Sequence, residues 1–278
     1  MAQFTNQAQL TYGNVVTSSN IAVGEITTVL TATKTAVRQS YSQGSTITYI
    51  INIVNSGNAT IGGLTINDNL GQYPFGVGTL VPLDYIDGTV LYFTNGALQP
   101  TPTVTTDSGL EITGISVPAN GNALIVYESA VNRFAPIGQD GTVTNTVTIT
   151  GECANVVASE TVSAVSEPQV AITKSISPIP VSCGETVTYT FQLQNSGATA
   201  LVATDNAVIT DTFNPIISGV TATLNGVAIG FSYDEATGQF RTNEGEITVP
   251  AATVTQDLTT GEWTVTPGNS TLIVTGTI

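Results

Sequence analysis

The feature that most restricts this chain is that it carries one pattern twice. Thr33-Lys34-Thr35-Ala36 opens a stretch that runs through Gly44-Ser45-Thr46-Ile47-Thr48-Tyr49 to Asn55-Ser56-Gly57. Thr173-Lys174-Ser175-Ile176 opens another, through Gly184-Glu185-Thr186-Val187-Thr188-Tyr189 to Asn195-Ser196-Gly197. The two align without a gap at a spacing of 140 positions. After three inserted residues, Leu64–Asp68 meets Ala207–Asp211, and later Gly121–Val126 meets Gly268–Val274. A unit repeated at this length is a domain, so the 278 residues read as two domains, each large enough to bury a core.

Within each repeat the apolar residues alternate. Ile47, Tyr49, Ile51 and Ile53 share one parity, as do Val187, Tyr189, Phe191 and Leu193. Threonine and asparagine fill the other parity, and Asn-Ser-Gly turns break the runs. Period-two alternation of this kind predicts an all-β chain of two tandem immunoglobulin-like β-sandwiches. The second repeat adds a hairpin candidate over 253–265, turning at 259–262. The expected organisation is an N-terminal strand at 1–13, a connector at 14–27, a first sandwich at 28–152, a linker at 153–167 and a second sandwich at 168–278.

The first repeat continues past Glu128 through Val143-Thr144-Asn145-Thr146-Val147-Thr148-Ile149-Thr150-Gly151, a strand that closes it. The second repeat, which stops level with Ala130, has no such strand, and is expected to expose unpaired backbone and an apolar slot. The best match to the closing strand lies at the front of the chain, in Phe4-Thr5-Asn6-Gln7-Ala8-Gln9-Leu10-Thr11-Tyr12. Asn14-Val15-Val16 follows it much as Asn155-Val156-Val157 follows the closing strand. A spare strand at one end and a vacancy at the other predict head-to-tail self-association by strand donation. The inward face of the donor would be Phe4, Asn6, Ala8, Leu10 and Tyr12.

Three polar residues fall on apolar parities. Lys34 shares its face with Leu30, Ala32 and Ala36, and Lys174 with Val170, Ile172 and Ile176. Asp68 follows Leu64 and Ile66, and Asp211 follows Ala207 and Ile209. Asn145 lies among Val143, Val147 and Ile149. Burial favours the neutral amine and the protonated acid. A neutral lysine beside an asparagine carboxamide can attack it and expel ammonia, with an aspartic acid polarising the carbonyl and moving protons. The product is an isopeptide bond. The first domain holds a full set: Lys34 and Asn145 to be joined, and Asp68 as the acid. The second holds Lys174 and Asp211 but no asparagine, and Asn6 of another subunit would complete it. Glu128 is a second candidate acid in the first domain, with Gly276 as its counterpart. A buried ion pair without a covalent bond is the alternative.

The Lys34-Thr35 and Lys174-Ser175 starts, the Gly44–Gly57 and Gly184–Gly197 runs and the Asp68 and Asp211 strands resemble a conserved-repeat domain of unknown function in bacterial and archaeal surface proteins. The likeness covers both repeats. The lysine, asparagine and aspartate arrangement is also similar to isopeptide-forming domains of Gram-positive pilins and adhesins. These resemblances imply an extracellular place at a cell or spore surface and a structural role in a pilus-like filament. The start Met1-Ala2-Gln3-Phe4 shows no basic or apolar signal region and the end no sorting motif, so the export route is not visible.

Composition narrows the alternatives. There is no histidine, and two cysteines fit no zinc spacing. No metal, no cofactor and no enzyme activity beyond self-directed bond formation are therefore expected. A net charge of -15 argues against nucleic acid and anionic membrane, and no apolar run is long enough to insert into a bilayer. Cys153 and Cys183 flank the junction of the repeats and are expected to form a disulfide. Asp84, Asp87 and Asp107 lie in loops and are candidate calcium ligands, although acidic residues also simply make turns. A surface adhesin, a glycan-binding module and a surface-layer protein are the competing functions.

Overall fold

The computed structural model describes residues 2–26, 29–107, 109–151 and 154–278. Its regular elements are β-strands, apart from one short helical turn at Ala203–Asp205. Two sandwiches follow one another, preceded by an N-terminal arm.

The first sandwich packs two six-stranded sheets. One has the first strand Leu30–Ala36 at its edge, then Thr46–Asn55, Gly121–Val131, Leu91–Thr94 and Ala97–Leu98, with Leu83–Tyr85 also pairing with Gly121–Val131. The other runs Thr103–Thr105, Leu110–Val117, Ile61–Asp68, Thr142–Gly151, Ala154–Ala164 and Ser40–Tyr41. The alternation explains the packing. Ile47, Tyr49, Ile51 and Ile53 are fully buried on one sheet, and Leu64, Ile66, Ile112, Val147 and Ile149 face them from the other. Each such side chain contributes about 1.5–3 kcal/mol by leaving water.

The repeated Asn-Ser-Gly has a physical reason. Asn55 Nδ2 donates to the carbonyls of Ala59, Val117 and Pro118, while its Oδ1 accepts from Gly57 N. Asn195 ties the carbonyls of Thr199 and Pro250 and the amide of Gly197 in the same way. Each is a buried turn whose backbone is satisfied by one carboxamide. At Gly197 a Cβ would stand 2.1 Å from Glu167 O, so only glycine fits.

One stretch of this sandwich differs from the expectation. The 153–167 stretch, expected as a linker, contains the strand Ala154–Ala164, which pairs along the whole of Thr142–Gly151. It also lies over the first strand, with Val162 and Ala164 buried and Val156 and Ala158 partly so. Its inward parity is apolar, so water exclusion drives it onto the sandwich. The first strand Leu30–Ala36 and the last strand Thr142–Gly151 belong to opposite sheets, with Ala154–Ala164 paired to the latter and packed against the former.

In the second sandwich, Val170–Ser177, Thr186–Asn195, Gly268–Thr277, Ser218–Leu224 and Val227–Ala228 form one sheet. Facing it are only three short strands, Thr210–Thr212, Gln239–Thr242 and Phe231–Asp234. Among the described residues no strand pairs with Thr210–Thr212 in the places that Thr142–Gly151 and Ala154–Ala164 take in the first sandwich. The hairpin anticipated at 253–265 forms as Thr253–Gln256 and Trp263–Thr266. It reaches the first sandwich: Trp263 N donates to Arg133 O at 3.0 Å, Arg133 pairs with Glu262 at 3.0 Å, and Gln256 Nε2 donates to Tyr73 OH.

The arm is not a single extended strand. Ala2–Asn6 pairs with Ala22–Ile26, and Gln9–Tyr12 pairs with Val15–Ser18. The connector therefore supplies the return strand of a hairpin, turning at Gly13-Asn14. No core lies beneath it: Phe4, Leu10, Tyr12, Val16, Ile21 and Val23 are all exposed. A two-stranded hairpin without a packed face is marginal in water.

Candidate functional site

The first sandwich gathers the three predicted groups. Lys34, Asp68 and Asn145 are 3%, 2% and 0% exposed, each carried inward by the parity of its strand. Lys34 Nζ lies 2.5 Å from Asp68 Oδ2. Its charge also lies over two stacked rings, 4.9 Å from the centre of Tyr49 and 5.7 Å from that of Tyr127. Burial pulls the Lys34 amine down to about 8, against the opposing pull of Asp68.

Asn145 is held at both ends of its carboxamide. Its Oδ1 accepts from Gly71 N at 3.2 Å, and its Nδ2 donates to Tyr127 OH at 2.9 Å. Tyr127 in turn donates to Asp68 Oδ2 at 2.6 Å, and Leu70 N donates to Asp68 Oδ1 at 3.0 Å. Burial, then the neighbouring Asp68 charge, push the Tyr127 phenol well above its ordinary value, so it stays a hydroxyl. The cluster is a chain of hydrogen bonds from the lysine through the aspartate and tyrosine to the asparagine amide nitrogen.

Tyr127 and the Gly71 amide are the members that sequence reasoning missed. Tyr127 lies on the inward parity of Ala123, Ile125 and Val131, and that parity was readable. Gly71 adopts φ +74°, and its N–H is aimed by the turn after Asp68, which no residue pattern specifies. Glu128 is on the opposite parity from Tyr127 and does not join the cluster. The pairing register puts Thr275, not Gly276, in its place in the second sandwich: Glu128 faces Thr48 and Thr275 faces Thr188.

The second sandwich repeats half of this. Lys174 Nζ hydrogen-bonds Asp211 Oδ2 and stands over the rings of Tyr189, Phe213 and Phe191 at 4.8, 5.3 and 5.4 Å. Lys174 was expected on an apolar inward face, but its side chain is 39% exposed, and Asp211's is 18%. Val170, Ile172 and Ile176 on the same strand are exposed too. The reason is the vacancy described above, because no strand covers this edge. Tyr127 also has no counterpart: the residue opposite Tyr189 is Val274.

Asn6 and the other arm positions, Phe4, Ala8, Leu10 and Tyr12, are exposed, and within one chain Asn6 makes no hydrogen bond to Lys174. Near its turn the arm hairpin nevertheless has the register of the hairpin that closes the first sandwich, whereas Ala2–Asn6 pairs with Ala22–Ile26 one residue out of it. Tyr12 pairs with Val15 and Leu10 with Thr17, as Gly151 pairs with Ala154 and Ile149 with Val156. Two residues separate the strands in each case. Cys153 is one of them and lies outside the described residues, as does any pairing of it with Cys183, which is exposed. Among the described residues no group of three acidic, histidine or cysteine side chains converges on a metal position, Asp84, Asp87 and Asp107 included. No described helix is long and apolar enough to cross a membrane.

No protein-family model and no curated protein matches the chain. Solved structures similar to it include pilin subunits and adhesin domains. BcpA, the major pilin subunit of Bacillus cereus, is 11% identical with a TM-score of 0.34, over 96% of this chain and 73% of that one. The pilus backbone RrgB of Streptococcus pneumoniae is 12% identical with a TM-score of 0.35, over 86% of this chain and 55% of that one. The collagen-binding domain from a Staphylococcus aureus adhesin is 13% identical with a TM-score of 0.31, over 50% of this chain and 99% of that one.

Proposed function

We propose that this protein is the subunit of an extracellular filament at a cell or spore surface, built head to tail. The N-terminal arm of one subunit closes the second sandwich of the next. One observation supports this reading: the outer part of the arm hairpin, Gln9–Tyr12 with Val15–Ser18, has the register of the hairpin that closes the first sandwich and a similar sequence, and the second sandwich is open where that hairpin would lie.

In the first sandwich Val147 pairs with Asp68 and Ile149 with Ile66. The equivalent seating opposes Ala8 to Asp211 and Leu10 to Ile209. It covers Val170, Ile172 and Ile176, and removes Phe4, Leu10 and Tyr12 from water. Each side chain so buried gains about 1.5–3 kcal/mol, set against the cost of ordering the arm. The donated strand also satisfies an open sheet edge along its length.

The same seating brings Asn6 to the place that Asn145 holds, beside Lys174 and Asp211. An isopeptide bond there would make the filament covalent, and Lys34 with Asn145 would form the matching bond within the first sandwich. Lys34 Nζ passes a proton to Asp68, attacks the Asn145 carboxamide carbon, and ammonia departs.

Removal of residues 2–26 tests the reading. Loss of the arm is expected to leave a soluble monomer, read by light scattering and electron microscopy. Undiminished polymerisation without the arm would rule donation out.

A further inference from the structure

We infer that Tyr127 is the proton relay that delivers a proton to the departing amide nitrogen of Asn145. This rests on the isopeptide reading above and goes beyond it, because it assigns the step that lysine, aspartate and asparagine leave without an agent.

The difficulty is the leaving group. An amide nitrogen departs from the carbon only as ammonia, so Nδ2 must gain a proton as the bond breaks. The proton is available at the other end of the cluster, on the lysine. Lys34 Nζ and Tyr127 OH both bond the same aspartate oxygen, Oδ2, at 2.5 and 2.6 Å. Tyr127 OH is then 2.9 Å from Asn145 Nδ2. These contacts form an unbroken path from nucleophile to leaving group, and every member of it is buried. Asp68 makes its hydrogen bonds with Lys34, Tyr127 and Leu70 N and none with Nδ2. Bulk water is excluded, so the tyrosine is the group in position.

The steps balance. A proton moves from the Lys34 ammonium to Asp68, leaving a neutral amine and a carboxylic acid. The amine lone pair forms the new C–N bond at Asn145 Cγ, and the carbonyl electrons move onto Oδ1, where the Gly71 N–H accepts the developing charge as an oxyanion-hole donor does. At the tetrahedral stage the Nδ2 lone pair is no longer delocalised into a carbonyl. Nδ2 therefore becomes a base, and its hydrogen bond with Tyr127 reverses. Tyr127 gives its proton to Nδ2 and takes the one held by Asp68. The C–Nδ2 pair leaves with ammonia, the carbonyl re-forms, and Asp68 collects the second proton from the new amide nitrogen. Lysine has then lost two protons, one to ammonia and one to Asp68, and Tyr127 ends as it began.

The stacked neighbour supplies the control. Tyr49 lies 5.6 Å from Tyr127, ring centre to ring centre, but makes no hydrogen bond to Asp68. It cannot complete the path.

The experiment is a time course of ammonia loss by intact-mass spectrometry on the full chain made by cell-free synthesis, with the Lys34–Asn145 peptide identified after digestion. Tyr127→Phe is expected to slow bond formation by about 10²–10⁴-fold, the usual contribution of a positioned acid–base group. Tyr49→Phe is expected to keep most of the wild-type rate. Fluorotyrosine at position 127 keeps the ring and both hydrogen bonds while making the phenol more acidic, and is expected to speed the reaction. That variant guards against a phenylalanine chain that fails to fold. A wild-type rate in folded Tyr127→Phe, or an unchanged rate with fluorotyrosine, would overturn the relay while leaving the isopeptide reading standing. A wild-type chain that forms no Lys34–Asn145 bond would overturn both.

Discussion

The two sandwiches share a strand pattern, an Asn-Ser-Gly turn and a lysine–aspartate pair, yet they place that pair in different environments. Lys34 is sealed by Thr142–Gly151 and Ala154–Ala164, whereas Lys174 opens to solvent through its 39% exposed side chain. The sequences around the two lysines do not account for this, since both occupy apolar parities. What differs is whether a closing hairpin is present. The closing hairpin, and not the lysine-bearing strand, therefore decides whether the amine is shielded from water. Under the proposed assembly, bond formation in the second sandwich would be coupled to the arrival of the donated strand.

Breaking the pair in the two places should show this difference at its largest. Asp68→Asn removes the partner of a buried charge and is expected to cost about 3–5 kcal/mol in denaturant unfolding, with no ammonia lost. Replacing Asn6 by Ala is expected to leave threads visible in the microscope but to abolish any ladder that survives boiling in detergent and reductant. A ladder that persists would assign the covalent link to another residue.

The pH dependence sharpens the comparison further. The reactive arrangement, neutral amine plus protonated acid, holds the same single proton as the ion pair. Lys34 sheds its proton from the pair at about 8. Bond formation in the first sandwich is thus expected to be level up to about pH 8 and to fall above it, by about tenfold per unit. A rate that climbs through pH 8 would mean that the amine alone limits the reaction and that the acid plays no part. The smallest effect belongs to the open site. Asp211→Asn in the unassembled chain is expected to change stability by no more than about 1 kcal/mol, because the pair is partly solvated.

Much of this was legible in the residues. Alternation located the strands of both cores, and parity alone placed Lys34, Asp68 and Asn145 inside. Ala154–Ala164 was read as linker, although Val156, Ala158, Val162 and Ala164 keep one parity with Glu160 as the single polar residue on that face. The arm's return strand was hidden by matching Asn14 to Asn155. The backbone register matches Val16 to Asn155 instead, which makes the two turns equal in length. Tyr127 was on an inward parity but reads as packing until its hydroxyl partners are known. The Gly71 amide and the contact of the 253–266 hairpin with Arg133 depend on backbone placement across distant segments, which local pattern does not encode.

Amide hydrogen exchange of the arm, measured in the assembled and the dissociated protein, tests strand donation most directly. If the arm closes a neighbour's second sandwich, residues 2–26 and their acceptor segment 207–211 exchange fast when dissociated and become strongly protected together on assembly. An assembled protein whose arm amides still exchange as fast as in the dissociated chain would contradict donation outright.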